Sequence, residues 1–220
     1  MDTPPKSLAE LTLTEFSERL ASAEPVPGGG SASAFAGSFA GSLLAMVARL
    51  SVDRPKYAAF QTTHSRALAT GERGRTVLLE LADDDARAYA GFAAARKMPK
   101  DSVEEQAARE AATRVAARAS TEVPLSVVDE CARLLDDIVA MAGRSNLNAS
   151  SDLEVAARLA SAAARGAAAN VMINLPMVGH EDYAATTTQK IYAMLNQIER
   201  KAALVSEFVG GGGLREPEAE

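Results

Sequence analysis

The apolar residues of this chain recur mostly with the period of an α-helix. From Lys56 to about Ala95, apolar side chains such as Leu78 and Leu81 follow one another at steps of three and four, with polar residues between them. No segment alternates apolar and polar residues at every second position, which is the pattern of a strand. The pattern therefore predicts an all-α protein, a helical bundle with long antiparallel helices. The predicted helices span about 12–21, 31–51, 56–95, 103–142, 153–170 and 183–209.

Residues that favour helix ends or bends mark two of these helices. Thr12 and Glu15 have the spacing of a capping box, in which each side chain accepts a hydrogen bond from a backbone N–H group of the other residue. Pro124 lies inside the pattern over 103–142. Because proline has no N–H group, we expect it to kink or interrupt the helix near Glu122.

Connections and ends follow from turn-forming residues. Ser151 or Asp152 is expected to cap the helix after the turn-rich stretch GRSNLNASSD. The proline in INLPMVGHED favours an irregular connection before the last helix. The glycine-rich C-terminal stretch contains no core-forming residues. We therefore predict a single helical domain over 1–209 and a flexible acidic tail over 210–220.

One predicted helix carries no charge from Ser31 to Ala48 and follows three glycines. A phosphate-binding loop of the Walker type needs a lysine after the glycines, and the chain has PGGGSA instead. The uncharged stretch approaches the length of a membrane span, but its many Ala, Ser and Gly residues contribute little to insertion, so we expect no membrane association. Small residues at every fourth position let another helix backbone approach closely, which predicts a place in the core or at a dimer interface. This small-residue stripe consists of Ser33, Gly37, Gly41 and Ala45.

The start of this helix is a candidate binding site. Ser31 is predicted as its N-cap residue, and Gly28, Gly29 and Gly30 would leave backbone N–H groups exposed at the positive end of the helix dipole. Such an end can hold an anion, for example a carboxylate. The alternative is that the glycines only allow the turn that opens the helix.

Charge and rare residue types argue against several classes of site. A net charge of −6 argues against a nucleic-acid binder, which needs clustered Lys and Arg. The single cysteine, Cys131, cannot form an internal disulfide, so we expect a reducing, cytoplasmic setting. His64 and His180 lie far apart without Cys or His neighbours. We therefore predict no metal site and expect ordinary surface or turn histidines.

Six segments of the chain form a recognisable series. They are VPGGGSASAFAGSFAGSLLAMVARLS, the pair Lys56 and Tyr57, LADDDARAYAGFAAARKMPK, EVPL, SNLNASSDLEVAARLA and RGAAANVMINL. In this order and spacing they resemble the cyclodeaminase/cyclohydrolase family, which includes the C-terminal domain of formiminotransferase-cyclodeaminase and stand-alone methenyltetrahydrofolate cyclohydrolases. The resemblance covers about residues 8–208. The chain departs from it in VDRPKY, where Gly-Lys often precedes the Lys-Tyr pair, and at Leu147, where Asn-Pro-Asn is common.

The resemblance implies an all-helical fold, a homodimer or a dimer of dimers, and action on tetrahydrofolates that carry one carbon, with no cofactor besides that folate substrate. Because no formiminotransferase domain accompanies the motifs, we expect an enzyme that hydrolyses 5,10-methenyltetrahydrofolate to 10-formyltetrahydrofolate. One alternative is a formimidoyltetrahydrofolate cyclodeaminase, which releases ammonia. The other is a non-catalytic helical folate-binding or scaffold protein.

The resemblance also selects Asp85 as a catalytic residue. Both reactions pass through a tetrahedral centre flanked by nitrogens and handle a delocalised cation, so they need proton transfer and a nearby carboxylate. On a helix, Asp83, Asp84 and Asp85 point in different directions. Asp85 matches the family motif, with Tyr89 one turn later on the same face. We expect Asp85 to act as general base or cation stabiliser; otherwise it belongs to a solvated acidic helix face.

Two lysines are further catalytic candidates. Lys100 follows Pro99 at a predicted helix break, where it could donate a proton, hold the glutamate end of the folate, or remain a plain surface lysine. Lys56 is expected to play a complementary role together with Tyr57.

Amide and carboxylate side chains are candidates for binding the pterin ring. Asn146, Asn148 and Asp152 lie on a predicted loop, where they can bind the ring or only form the turn and the helix cap. Asn170 and Asn174 lie one turn apart in a mostly apolar segment. Buried amides need hydrogen-bonding partners, so we expect a ligand or a neighbouring helix end beside them.

Overall fold

The computed structural model describes residues 6–217, and within that range the chain forms six α-helices and no strand. The all-α prediction is confirmed. Short 3₁₀ turns at Leu8–Glu10, Pro55–Phe60 and Leu147–Ala149 precede three of the helices. The helices are α1 (Leu13–Leu20), α2 (Gly29–Arg49), α3 (Gln61–Arg96), α4 (Val103–Met141), α5 (Ser150–Val178) and α6 (Glu181–Gly210).

The small-residue helix, α2, packs mainly against α3 and α5. A Cβ atom on Gly41 would lie 2.9 Å from the carbonyl oxygen of Gly71 on α3, and one on Gly71 would lie 2.7 Å from the carbonyl oxygen of Gly41. These distances are shorter than van der Waals contact, so the two backbones touch where both residues are glycine. The predicted close packing of this helix in the core is confirmed.

By length and composition alone, α2 could cross a membrane, but 56% of its most apolar window is buried inside the protein. Ala34, Leu44 and Val47 have no exposed surface, because α3, α4 and α5 all pack against α2. These contacts are those of the core helix of a bundle.

The N-terminus of α2 differs from its predicted form. Gly28, not Ser31, is the N-cap residue, and it makes no side-chain capping bond. Ser31 is fully buried in the first turn, and its hydroxyl lies 3.0 Å from both the Ala82 carbonyl oxygen and the Asp85 carboxylate on α3. The predicted N-cap role of Ser31 is therefore wrong, because packing against α3 turns its hydroxyl away from its own helix end.

Neither helix-internal proline interrupts its helix. α4 continues through Pro124, which is buried, and α5 continues through Pro176 to Val178. The prediction of an irregular connection at INLPMVGHED is therefore wrong. At Pro124 we expected either a kink or an interruption of the helix, and the interruption does not occur. Tertiary packing holds a helix together where its local sequence disfavours it. α5 ends instead at Gly179, which has a φ of 68°.

The two predicted helix starts have opposite outcomes. Thr12 accepts the Glu15 N–H at 3.2 Å and donates its own N–H to the Glu15 carboxylate at 2.7 Å, so the capping box of α1 is confirmed. α5, by contrast, begins at Ser150 with Ala149 as its N-cap residue. Ser151 and Asp152 lie inside the first turn, and their predicted capping role is wrong.

The segment after α6 returns to the end of α4. The Arg215 N–H donates to the Gly143 carbonyl at 2.7 Å, and the guanidinium donates to the Val139 and Ala142 carbonyls at 3.1 and 3.0 Å. The described part of the predicted tail is thus bonded to the C-terminal end of α4. Residues 218–220 of that tail lie outside the described residues.

Candidate active site

A cleft of about 350 Å³ opens beside the N-terminus of α2, and α3, α4 and α5 complete its walls. It brings together a carboxyl group, two side-chain amides, two hydroxyls and several apolar side chains. Its lining residues are Pro25, Val26, Gly28, Gly29, Gly30, Asp85, Tyr89, Phe92, Ser120, Asn170, Ile173, Asn174 and Met177.

The three consecutive aspartates of α3 diverge, as the helical geometry predicts. Asp83 accepts hydrogen bonds from the Ser7 hydroxyl and, at 2.6 Å, from the Leu8 N–H group, so it anchors the N-terminal segment. Asp84 is exposed and forms an ion pair with Arg87. Only Asp85 lines the cleft.

Asp85 faces the first turn of α2. Its carboxylate accepts hydrogen bonds from the Ser31 hydroxyl, at 3.0 Å, and from the Ser31 backbone N–H group. A Cβ atom on Gly30 would lie 2.5 Å from Asp85 Cγ, so this close approach requires a glycine at position 30. The anion at this helix end is therefore Asp85 itself. Ser31 does not line the cleft, and it holds the Asp85 carboxylate in place through hydrogen bonds.

Two opposing effects act on the Asp85 carboxyl group. Burial raises the pKa of Asp85 above its ordinary value, and the two hydrogen bonds from Ser31 partly offset this by favouring the carboxylate. The net direction is upward. A carboxyl group with a raised pKa is a stronger base than ordinary aspartate and holds its proton closer to neutral pH, which suits a group that both accepts and returns a proton.

Asn170 and Asn174 lie on α5, on the same face of the cleft. The Asn170 amide donates to the Gly166 carbonyl at 2.8 Å, and the Asn174 amide donates to the Ser120 carbonyl at 2.7 Å. Since the NH₂ group of each is bound to a backbone carbonyl, the Oδ1 atom of each remains available as an acceptor for a molecule in the cleft. The partners found are carbonyl oxygens inside α5 and α4, so no helix end serves as the expected partner, and the other end of each amide faces the cleft.

Ser120 on α4 also lines the cleft, and sequence reasoning missed it. Its hydroxyl oxygen is buried and has no hydrogen-bond partner among residues 6–217. The available signal was the EVPL segment: Pro124 lies four residues after Ser120 and cannot donate to its carbonyl oxygen. The apolar wall residues Phe92, Ile173 and Met177 carried no comparable signal.

Lys100 lies in a neighbouring cleft of about 500 Å³ rather than beside Asp85. Arg96, Arg109 and Arg114 line the same cleft, so it is rich in positive charge. The two clefts share Met177. Lys100 therefore lines an adjoining basic cleft, and not the wall that carries Asp85.

The chain matches, over residues 12–193, the family model described as formiminotransferase-cyclodeaminase. It belongs to the formiminotransferase-cyclodeaminase family. The family predicted from the six motifs is thereby confirmed, and the matched region contains every residue that lines the Asp85 cleft.

Individual members of the family show the same similarity. A methenyltetrahydrofolate cyclohydrolase from Methylorubrum extorquens is 33% identical over 184 residues, which cover 84% of this chain and 88% of that protein. The formimidoyltransferase-cyclodeaminase of Sus scrofa is 32% identical over 202 residues, but these are only 37% of its length. The crystal structure of formiminotetrahydrofolate cyclodeaminase from Thermotoga maritima superposes with a TM-score of 0.83 at 26% identity, over 92% of this chain and 97% of that one.

Five further candidates lie at the opposite end of α2 in this family member. Lys56 Nζ lies 5.4 Å from the centre of the Tyr57 ring, and the buried Tyr57 hydroxyl accepts the Leu147 N–H at 3.3 Å. Asn146 donates its backbone N–H to Ser51 at 2.9 Å, and its side chain accepts the Asn148 N–H at 3.1 Å, which is the turn-forming alternative. Because α2 has 21 residues, it is roughly 30 Å long. Within one chain, Lys56, Tyr57, Asn146, Asn148 and Asp152 therefore lie away from Asp85.

The two histidines of this family member have structural partners. His180 accepts the Tyr183 N–H at 3.2 Å and caps α6, as expected for a turn histidine. His64 has no exposed surface and its Nε2 lies 2.8 Å from the Arg144 carbonyl oxygen, so the expectation of a surface or turn position is wrong for His64. Across residues 6–217, no group of three His, Cys, Asp or Glu side chains is placed to hold a metal ion.

Proposed function

We propose that this protein hydrolyses 5,10-methenyltetrahydrofolate to 10-formyltetrahydrofolate, with Asp85 as the catalytic carboxyl group. The observation that carries the proposal is the setting of Asp85, a carboxyl group with a raised pKa held by Ser31 on the wall of a cleft. Similarity to a cyclohydrolase over most of both chains supports hydrolysis as the reaction.

The proposed reaction begins when water adds to the carbon that bridges N5 and N10 of the folate. As the water oxygen bonds to this carbon, Asp85 accepts one water proton and the positive charge of the bridge is lost. The bond from carbon to N5 then breaks, and the proton held by Asp85 passes to N5. The hydroxyl proton of the intermediate leaves to solvent, so the formyl group remains on N10. A carboxyl group with a raised pKa suits both transfers.

The charges around the cleft suit a cationic substrate. Asp85 and the Oδ1 atoms of Asn170 and Asn174 are acceptors, and the lining residues that the structure describes include no Lys or Arg. Acceptors fixed in a partly enclosed site stabilise a delocalised cation more strongly than water does. This pattern favours a folate with a positively charged bridge.

The neighbouring basic cleft supports a binding role for Lys100 in place of a catalytic one. Phe92 lines the Asp85 cleft, and Arg96, one turn further along α3, lies over its ring at 5.9 Å and lines the basic cleft. A folate with its ring system beside Asp85 would extend past Phe92 and Met177 toward Lys100. We therefore propose that Lys100 and its arginine neighbours bind the glutamate carboxylates, as cations bind anionic groups.

An exposed apolar face on α2 supports the homodimer, or dimer of dimers, that the family resemblance implies. Phe39, Met46 and Leu50 recur at steps of seven and four, and their exposed fractions are 43%, 36% and 38%. Exposed apolar side chains along one face of a helix are typical of a protein interface. Lys56 and Tyr57, which are distant from Asp85 in their own chain, would serve a site only in a second copy.

The second candidate function is cyclodeamination, which the structural similarity to the Thermotoga maritima cyclodeaminase favours. That reaction closes the one-carbon group onto N10 at the same carbon and expels ammonia, so the same carboxyl group would serve it. Neither proposal needs a cofactor besides the folate, since a carboxyl group and water suffice for the proton transfers. We also propose a cytoplasmic setting, which fits a single, buried cysteine, Cys131, that cannot form an internal disulfide.

Following the near-ultraviolet absorbance of 5,10-methenyltetrahydrofolate tests the proposal. The protein should accelerate its loss over buffer, Asp85→Asn should abolish most of this acceleration, and the matched control Asp84→Asn should preserve it because Asp84 is exposed. Ammonia released from formimidoyltetrahydrofolate, without hydrolysis of the methenyl compound, would identify a cyclodeaminase instead. No activity with either folate would make both catalytic proposals wrong and favour the scaffold.

A further inference from the structure

The hydrogen bond that holds Asn174 depends on a proline in another helix. In an α-helix the carbonyl oxygen of residue 120 accepts the N–H group of residue 124. Residue 124 is Pro124, which has no N–H group, yet α4 is continuous through it. The Ser120 carbonyl oxygen is left without its intrahelical donor, and the Asn174 amide donates to it at 2.7 Å.

We propose that Pro124 is a positioning residue, which frees the Ser120 carbonyl so that Asn174 presents Oδ1, and not its NH₂ group, to the cleft. An asparagine amide can face a ligand with either end, and the partner of one end decides which. Here the NH₂ group is bound to the Ser120 carbonyl, so the oxygen is the end left for the cleft. The inference rests on the proposed function only where it links this orientation to turnover of a cationic folate.

The Ser120 hydroxyl independently indicates that this turn of α4 serves the cleft. Elsewhere on the same helix, the Thr121 and Ser126 hydroxyls donate to carbonyls four residues earlier, at 2.8 and 3.0 Å. The Ser120 hydroxyl makes no such bond although it is buried, and no partner for it exists within residues 6–217. The carbonyl and the hydroxyl of Ser120 thus both lack a hydrogen bond within α4, and Ser120 lines the cleft.

The local preference of α4 opposes this arrangement. Proline is the least favourable residue in a helix interior, and Pro124 lies far from either end of α4. A residue that costs helix stability one turn from a site residue is expected where the geometry that it creates serves function.

A double-mutant cycle between Pro124 and Asn174 tests the proposal. Pro124→Ala restores the N–H group, which competes with Asn174 for the Ser120 carbonyl, and should lower kcat/KM about tenfold while raising the melting temperature. In an Asn174→Ala background, Pro124→Ala should lower kcat/KM no further, because its effect passes through Asn174. Gly91→Ala, on α3, is the matched control. A Cβ atom at this position would meet nothing within 4 Å, so the substitution raises helix stability without touching the cleft and should leave kcat/KM unchanged.

An equal loss of kcat/KM in both backgrounds, or no loss in either, would overturn the proposal. If the wild-type protein turns over neither folate, the proposed function fails, and side-chain amide hydrogen exchange of ¹⁵N-labelled Asn174 decides the positioning role alone. Exchange should be faster in Pro124→Ala than in the wild-type protein, and unchanged exchange would refute the role. Pro124→Val, which keeps three side-chain carbon atoms and restores the N–H group, repeats the test if the alanine variant does not fold.

Discussion

Replacing Gly30 with alanine tests whether catalysis depends on the position of Asp85 rather than on its presence. The substitution adds one methyl group and leaves Asp85 in the chain. A Cβ atom at position 30 would lie 2.5 Å from Asp85 Cγ and 2.6 Å from Oδ2. Since carbon atoms normally approach to about 3.5 Å, the carboxyl group must move by about 1 Å.

The size of this displacement sets the expected effect. A misplacement of about 1 Å can lower a catalysed rate about 100-fold, so we expect kcat to fall by that order. Overpacking of this kind costs about 1–3 kcal/mol. The melting temperature should fall by several degrees, because the Ser31 hydroxyl also loses its alignment with Asp85.

Gly29→Ala is the control for this experiment. A Cβ atom on Gly29 would lie 3.5 Å from Asn170 Nδ2, which is ordinary contact, so the variant should keep its stability and most of its kcat. Because Gly29 lines the cleft, its KM can change, and only kcat and the melting temperature serve as the control. The measurements are kcat and KM with 5,10-methenyltetrahydrofolate, and the melting temperature of the same preparations. If Gly30→Ala keeps the kcat and the melting temperature of Gly29→Ala, the close approach of Asp85 to α2 is wrong.

Three further substitutions address separate features. Asp85→Asn should lower kcat about 10²–10⁴-fold. Because burial raises the pKa of Asp85, the wild-type rate should decrease on acidification at a pH higher than that at which an ordinary aspartate takes up its proton. A rate that does not depend on the Asp85 carboxyl group would contradict its role. The same raised pKa disfavours the carboxylate in the folded state, so the free energy of unfolding should fall as pH rises through it, and Asp85→Asn should lack this fall. Ser120→Ala should raise KM severalfold without lowering the melting temperature, because the hydroxyl has no partner among the described residues; an unchanged KM would show that it does not meet the substrate. Gly41→Leu should destabilise the protein by at least about 1–3 kcal/mol, since a Cβ there already overlaps the α3 backbone, and an unchanged melting temperature would mean that α2 and α3 can separate.

Local patterns predicted much of the fold. The three-and-four spacing located the helices, the Thr12 capping box marked the start of α1, and the small-residue stripe placed α2 in the core. These features succeed because they depend on neighbours within one or two helical turns. Ser31 and residues 171–178 of α5 were predicted wrongly because partners from other helices outweighed their local preferences.

The sequence by itself determined that this is a helical member of a folate one-carbon family and that Asp85 is its first candidate for chemistry. Only the tertiary structure decided which candidates share a site. It brings Asp85, Asn170 and Asn174 to the start of α2, and it leaves Lys56 and Asn146 at the other end of that helix. The reason is that helical period determines the face on which a side chain lies, whereas the packing of rigid helices determines which faces and ends meet.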